Sequence, residues 1–195
     1  MNLPDIYLAS SSPRRLALLQ QMGITPICIV PDIDETYQTD EKVHDYVIRM
    51  AREKAQAGWQ QKRKQPRWPV LAADTIVVLD EQILGKPKNR REAGRFLKLL
   101  SGRTHQVITA VALMSLQGIQ QSISVNQVSF SSLTSSAITW YINTEEGMDK
   151  AGSYAVQGLA ARFIEQIVGS YSGIMGLPIW ETEQLLQQYL IMEQT

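Results

Sequence analysis

The segment YLASSSPRRLALLQQMG sets hydroxyls and fixed positive charge on the opening turn of a helix. Ser10, Ser11 and Ser12 are followed by Pro13, Arg14 and Arg15. The first turn of a helix already carries partial positive charge from its unpaired N–H groups. Two arginines there oppose the macrodipole, at about a few tenths of a kcal/mol each, unless an anion is close. Ser12 as N-cap with Pro13 at the first helical position accounts for the helix start. It does not account for the arginines, although arginines are also common on plain surface. A phosphate held by N–H groups, hydroxyls and guanidinium forks would account for all of them.

Three further charged residues stand where the pattern favours other chemistry. Asp74 interrupts the apolar run PVLAADTIVVLD, between Ala72-Ala73 and Ile76-Val77-Val78. A carboxylate inside a buried strand must be paired, hydrogen-bonded or metal-bound; a structural salt bridge satisfies this as well as a catalytic role does. Lys54 lies in phase with an apolar helical stripe, and either snorkels past the core edge or points into a site. Lys86, between Gly85 and Pro87, is either a turn lysine or a phosphate contact. The loop DIDE adds Asp32, Asp34 and Glu35. These acids are solvated or, beside Asp74, offer oxygen ligands to a hard cation such as Mg²⁺ or Mn²⁺. Cations and carboxylates together suit phosphoryl chemistry: forks and ammonium groups hold a polyphosphate, a bound metal neutralises charge, and a second carboxylate takes a proton from water.

Other chemistries find no support. His44 and His105 are isolated and form no zinc spacing with Cys28. GxxxxGK[ST], GxGxxG and GxSxG patterns are absent. The chain has 195 residues, 44% hydrophobic and 19% charged, with 19 Lys+Arg against 19 Asp+Glu. With zero net charge, no bulk field draws it to nucleic acid or an anionic membrane, so any anion site is local. One cysteine precludes an internal disulfide and suggests a reducing compartment. MNLPDIYLAS lacks the character of a signal peptide, and no apolar run is long enough to cross a bilayer. A cytoplasmic location is the expectation.

The elements that must position these residues are mixed. The spacing predicts a short strand leading into the first helix, a strand over Pro26–Val30, and a helix from Val43 to about Ala57. The polar connector QQKRKQPR comes next, then the buried strand with Asp74. A turn at Asp80–Gln82, a short strand Ile83-Leu84 and a helix capped by Asn89 follow. HQVITAVALMSLQGIQQSISVNQVSFSSL reads as two long strands joined at Gln117-Gly118. The step from Ile123, Val125 to Val128, Phe130 suggests a bulge. Then come a helix from about Thr134 to Asn143, a loop-like DKAGSYAVQG, a strand over Phe163–Val168, and a last helix from Pro178 burying Leu185, Leu186, Tyr189 and Leu190. This order predicts an α/β fold with a curved mixed sheet, in one domain spanning residues 1–195.

The sequence resembles the Maf family of nucleoside triphosphate pyrophosphatases, the septum-formation-inhibitor-like proteins. The matching stretches are LASSSPRR, DIDE, REKA, AADTIV, GKP, SGRTHQVITAVAL, DKAGSYAVQG and GSYSGIMGLP, in order along nearly the whole chain. SSS stands where SGS or STS is frequent, which leaves the hydroxyl chemistry unaltered. The resemblance implies a Maf/ITPase-like α/β fold of two lobes around a central cleft. It also implies hydrolysis of a nucleoside triphosphate to monophosphate and pyrophosphate with a divalent metal (Mg or Mn), and is compatible with a homodimer.

By the same resemblance, Asp74 matches the proton acceptor, and Arg15, Glu35, Lys54 and Lys86 match phosphate- and metal-handling positions. Arg14, Thr75 and Gln157 occupy the positions that go with base choice and look like the dTTP/UTP branch, whereas the 7-methyl-GTP branch carries Trp, Gln and Glu there. A glutamine offers both donor and acceptor to a pyrimidine edge. The implied arrangement has Ser10, Ser12, Arg15, Lys54 and Lys86 holding the triphosphate, and Glu35 and Asp74 as metal ligands. Asp74 or Glu35 activates water at the α-phosphorus. The rivals are a nucleotide-binding regulator of cell division without turnover, and a different phosphohydrolase, one releasing orthophosphate or acting on non-canonical purine triphosphates.

Overall fold

The computed structural model describes residues 3–61 and 68–193. The elements are β1 (Tyr7–Ala9), α1 (Pro13–Gln21), β2 (Ile27–Ile29), α2 (Val43–Gln61), β3 (Val70–Leu79), β4 (Gln82–Leu84), α3 (Arg90–Leu100), β5 (Thr104–Ser115), β6 (Gly118–Phe130), α4 (Ser135–Asn143), β7 (Ile164–Val168), α5 (Tyr171–Met175) and α6 (Ile179–Glu193), with 3₁₀ turns at Ala151–Ser153 and Leu159–Phe163. Seven strands form one mixed sheet in the order β2-β1-β3-β5-β6-β7, with β4 paired to β3. β1 runs parallel to β2 and β3, while β4 on β3 and β7 on β6 are antiparallel. The mixed α/β architecture is the one the pattern of elements predicts.

The residues cluster into two compact units. The first comprises the chain up to Asp74, Thr109–Ser124 and the segment from Gly176 on; the second comprises Thr75–Ile108 and Val125–Met175. In the first unit, Val43, Val47, Met50, Ala51 and Ala55 form the buried face of α2. Gly58 continues that face because a Cβ there would lie 2.9 Å from Ala9 Cβ and from Val70 Cγ1. Burying that stripe, rather than helix propensity, is what fixes α2 against the parallel strands.

The second unit encloses Leu84, Phe96, Leu97, Leu100, Val128, Phe130, Tyr141 and Phe163 in one apolar cluster. Asn89 caps α3 as expected, its side chain accepting from Glu92 N. The β3–β4 hairpin turns on Asp80 and Glu81, both at positive φ (49° and 61°), the pairing that a two-residue turn between twisted strands requires.

Several boundaries differ from the expectation. β2 is confined to Ile27–Ile29, and Val30 is exposed. α2 runs one turn beyond Ala57, to Gln61, and takes in the first two residues of QQKRKQPR; the rest of that connector lies outside the described residues. Phe163 closes a 3₁₀ turn instead of opening a strand. GSYSGIMGLP, for which no helix was anticipated, contains α5, and α6 starts at Ile179 with Leu190 only half-buried.

The anticipated phase slip in β6 is replaced by continuous alternation. Ser124, Asn126, Val128 and Phe130 are buried and Val125 is exposed. Asn126 takes an inward position because both ends of its amide are satisfied: Nδ2 donates to Val107 O at 3.2 Å and Oδ1 accepts from Ser170 N at 2.6 Å. Gly169, at φ +116°, makes room for it, since a Cβ would fall 2.4 Å from Asn126 Oδ1. The register irregularity lies later, between Ser129 and Phe130 against β7.

His105 is structural, as its isolation suggests. It is 2% exposed, its Nε2 lies 2.8 Å from the Tyr154 hydroxyl, and it packs edge-on to Phe130 and Tyr154. Its Nδ1 has no hydrogen-bond partner. Burial pushes its pKa down from 6.5 to about 4. The unfolded chain therefore binds a proton that the folded chain refuses. This contribution to stability is complete above the unfolded value and declines by about 3 kcal/mol as pH falls through 6.5 toward 4. Urea unfolding at pH 7 and pH 4.5 should show a smaller acid loss in His105→Phe than in the parent, and equal losses would acquit the imidazole.

Candidate active site

α1 begins as the sequence predicts, with Ser12 at the N-cap and Pro13 next, but Ser12 makes no side-chain capping bond. Local hydrogen bonding instead centres on Ser10, which is buried. Its Oγ accepts from Ser12 N at 3.1 Å and from Arg15 Nη1 at 3.2 Å. Arg15 Nε donates to Gly176 O at 2.8 Å, just before α6. The guanidinium is thus fixed by two segments far apart in sequence. Burial lowers the pKa of Arg15; the Asp74 and Glu35 carboxylates pull it back up, and the neighbouring Arg14 lowers it. These opposing influences place both acids and both arginines within electrostatic reach of one another.

The acids converge on Lys54. Its Nζ lies 2.7 Å from Asp74 Oδ1 and 2.7 Å from Glu35 Oε1. Lys54 and Asp74 side chains are 12% and 14% exposed, and Glu35 is 51% exposed. Lys54 therefore does not snorkel out of the core, and Asp74 is not an isolated buried charge. Each neutralises the other, with Glu35 closing the group from the solvent side.

Of the three acids in DIDE, only Glu35 is directed here. Asp34 Oδ1 accepts from Thr36 N at 2.9 Å and Thr36 Oγ1 at 2.5 Å, a local turn that holds its pKa down. Asp32 is exposed.

Two residues that spacing alone did not single out anchor the Glu35 loop to α2. Tyr46 donates its hydroxyl to Glu35 O at 3.0 Å. Arg49 forks onto Glu41 at 2.7 and 2.8 Å and donates to Thr36 O at 3.0 Å. Burial, with Asp74 and Glu35 nearby, raises Tyr46 to about 12, so it stays a phenol donor at neutral pH. The only sequence signal was their i, i+3 spacing on α2, one turn or more before Lys54.

The remaining residues belong to the second unit. Thr75 follows Asp74 on β3 and is half-buried; Lys86 is exposed past the end of β4; Gln157 is exposed in the turn before the second 3₁₀ segment. The Lys86 and Gln157 stretches are linked by Gly152 N donating to Gly85 O at 3.1 Å. Gly152, at φ +66°, approaches Val77 so closely that a Cβ would lie 2.9 Å from its Cγ1.

Two carboxylate oxygens aimed at one point, which an ammonium now fills, form a donor set suited to a hard divalent cation. Among the described residues no group of three or more His, Cys, Asp or Glu could hold a metal. A cation here would take two protein oxygens, with its other positions left to ligand or water, as Mg²⁺ commonly does.

Within the first unit the α/β framework sets a basic helix start in the electrostatic field of an acid pair shared with a lysine. The chain belongs to the Maf family: the family model described as "Maf-like protein" matches residues 5–189. A Pasteurella multocida protein named dTTP/UTP pyrophosphatase is 49% identical over 191 residues, covering 95% of this chain and 96% of that protein. An Escherichia coli K12 protein of the same name is 46% identical over 187 residues, covering 96% and 94%. A Haemophilus ducreyi protein named nucleoside triphosphate pyrophosphatase is 46% identical over 185 residues, covering 94% of each. Among the described residues no helix is long and apolar enough to cross a membrane.

Proposed function

We propose that this chain hydrolyses dTTP and UTP, and modified pyrimidine triphosphates of similar edge chemistry, to the monophosphate and pyrophosphate. The observation that carries the reading is the Lys54 ammonium shared between Asp74 and Glu35, with the Arg15 guanidinium in their field. The names of the relatives point the same way.

In this reading Ser10, Ser12, Arg15, Lys54 and Lys86 hold the triphosphate oxygens, and Arg14, Thr75 and Gln157 select the base. Asp74 Oδ1 is engaged by Lys54, and Oδ2 is assigned as the acceptor of a water proton. The water oxygen bonds to the α-phosphorus, the bridge to the β-phosphorus breaks, and its electron pair leaves with pyrophosphate. Asp74 and Glu35 would hold a Mg²⁺ or Mn²⁺ ion, which when bound supplies charge neutralisation on the phosphate oxygens. Where no ion is bound, Lys54 bridges the two acids and orients Asp74. The enzyme would act in the cytoplasm on the nucleotide pool.

A regulator without turnover is the weaker reading, because binding a nucleotide does not call for a partly buried carboxylate held by an ammonium. The deciding experiment is a product assay over dTTP, UTP, CTP, modified pyrimidine triphosphates and 7-methyl-GTP, with Mg²⁺ and with Mn²⁺. Pyrophosphate from dTTP and UTP is expected, while orthophosphate or no turnover would overturn the proposal. Arg15→Ala should lower kcat/KM by about 10-fold or more through loss of a charge-assisted phosphate contact. An unchanged kcat/KM would remove Arg15 from the phosphate.

A further inference from the structure

Gln157 is exposed directly after the buried run Tyr154, Ala155 and Val156, and the exposed Leu159 and the buried Ala160 follow it. It sits in a tight turn closed by Gly158 N donating to Ala155 O at 3.1 Å. The N–H groups just after that turn are held by one carboxylate. Leu159 N donates to Glu146 Oε2 at 2.8 Å, and Ala160 N to Glu146 Oε1 at 3.4 Å. The Tyr141 hydroxyl donates to the same Oε1 at 2.8 Å. Glu146 is itself tied down, since Lys150 Nζ donates to its backbone carbonyl at 2.9 Å. Gly158 completes the arrangement: a Cβ there would fall 2.3 Å from Glu146 Oε2 and 2.4 Å from Oε1. The glycine is what lets the carboxylate reach the backbone.

We infer that Glu146 is the positioning residue for Gln157 and, through that turn, for the choice of nucleobase. The inference rests on the reading of Gln157 as a base-selecting residue. A carboxylate accepts from three donors at once and has no donor of its own at neutral pH, so it fits this cluster of N–H and O–H groups. An amide in its place must turn an NH₂ toward one of those donors. The turn would then shift, and the amide of Gln157 with it. Specificity built on hydrogen bonds to a base edge is sensitive to such displacements.

The test compares kcat/KM for UTP with that for CTP, which share the ribose triphosphate and differ in the donor–acceptor order of the base edge. Glu146→Gln should lower the UTP:CTP ratio by about tenfold, with KM for UTP rising more than kcat falls. Gly158→Ala, which sets a methyl against the carboxylate, should shift the ratio the same way. Gln157→Ala should collapse the ratio, and adding Glu146→Gln to it should produce no further change. If Glu146→Gln does not fold, Glu146→Asp retracts the charge by one methylene and should reproduce the loss.

A folded Glu146 variant with the parental ratio, alongside a collapsed ratio in Gln157→Ala, overturns the inference and leaves the base reading intact. A further ratio loss in the double variant also overturns it, since Glu146 would then act elsewhere. A parental ratio in Gln157→Ala removes the base reading itself, and the inference with it.

Discussion

Asp74→Asn should lower kcat by about 10²–10⁴-fold with a much smaller change in KM. The substitution is close to isosteric. An asparagine oxygen can still accept from Lys54, and Glu35 remains as counter-ion to that ammonium. The fold is therefore retained while the capacity to take a proton is lost. Steady-state kinetics on dTTP or UTP, checked by a thermal melt, measures the effect. Near-parental turnover in a folded variant would take Asp74 out of the role. Glu35→Gln supplies the comparison, because both carboxylates contact Lys54 Nζ at 2.7 Å. The larger kcat loss of the two identifies the base, and a loss confined to Glu35→Gln transfers the assignment.

Lys54→Met should carry the second large effect, on activity and stability together. Removing the ammonium takes away the counter-ion that Asp74, 14% exposed, shares with Glu35 at 2.7 Å. Breaking a buried pair by deleting one partner costs about 3–5 kcal/mol; the half-exposed Glu35 brings the expected value to about 2–3 kcal/mol. The melting temperature should fall accordingly, and kcat/KM should drop by about 10²-fold or more as an oriented charge is lost near the phosphates. A second readout separates the electrostatic cause from lost packing. With the ammonium gone, Mg²⁺ or Mn²⁺ no longer competes with it for the two carboxylates, so either ion should raise the melting temperature of the variant more than that of the parent. Equal shifts in the two proteins would mean that Lys54 and the cation do not share these oxygens.

Much of this site was legible from individual residues. Asp74 stood out because a carboxylate among Ala, Ile and Val residues of a buried strand requires a partner. Lys54 stood out because it fell on the apolar phase of α2. The opening-turn arginines stood out because they oppose the helix dipole. In each case a local regularity of known period was broken by a charge, and the break is visible without coordinates.

Other parts gave no such break. Residue type alone does not distinguish Glu35 from Asp34 in DIDE, and only the resemblance points to Glu35; the physical reason is that Thr36 captures Asp34 while Tyr46 holds the Glu35 carbonyl. The expected bulge in β6 rests on apolar residues alone; Asn126 takes an inward position instead, because its two amide partners lie on other segments. No local pattern marks Glu146, because its three donors come from both sides of it in sequence.

By itself, the sequence determined the class of fold, most of the elements, and the set of side chains whose chemistry suits a polyphosphate. Periodicity and turn residues act over a few positions, so they survive in one dimension. The tertiary structure alone decided which charges meet: that Lys54 lies between Glu35 and Asp74, that Arg15 is pinned to the carbonyl before α6, and that Glu146 grips the turn bearing Gln157. Such pairings depend on strand order and helix packing, which bring distant segments within 3 Å through the burial of apolar faces, and no local spacing encodes them.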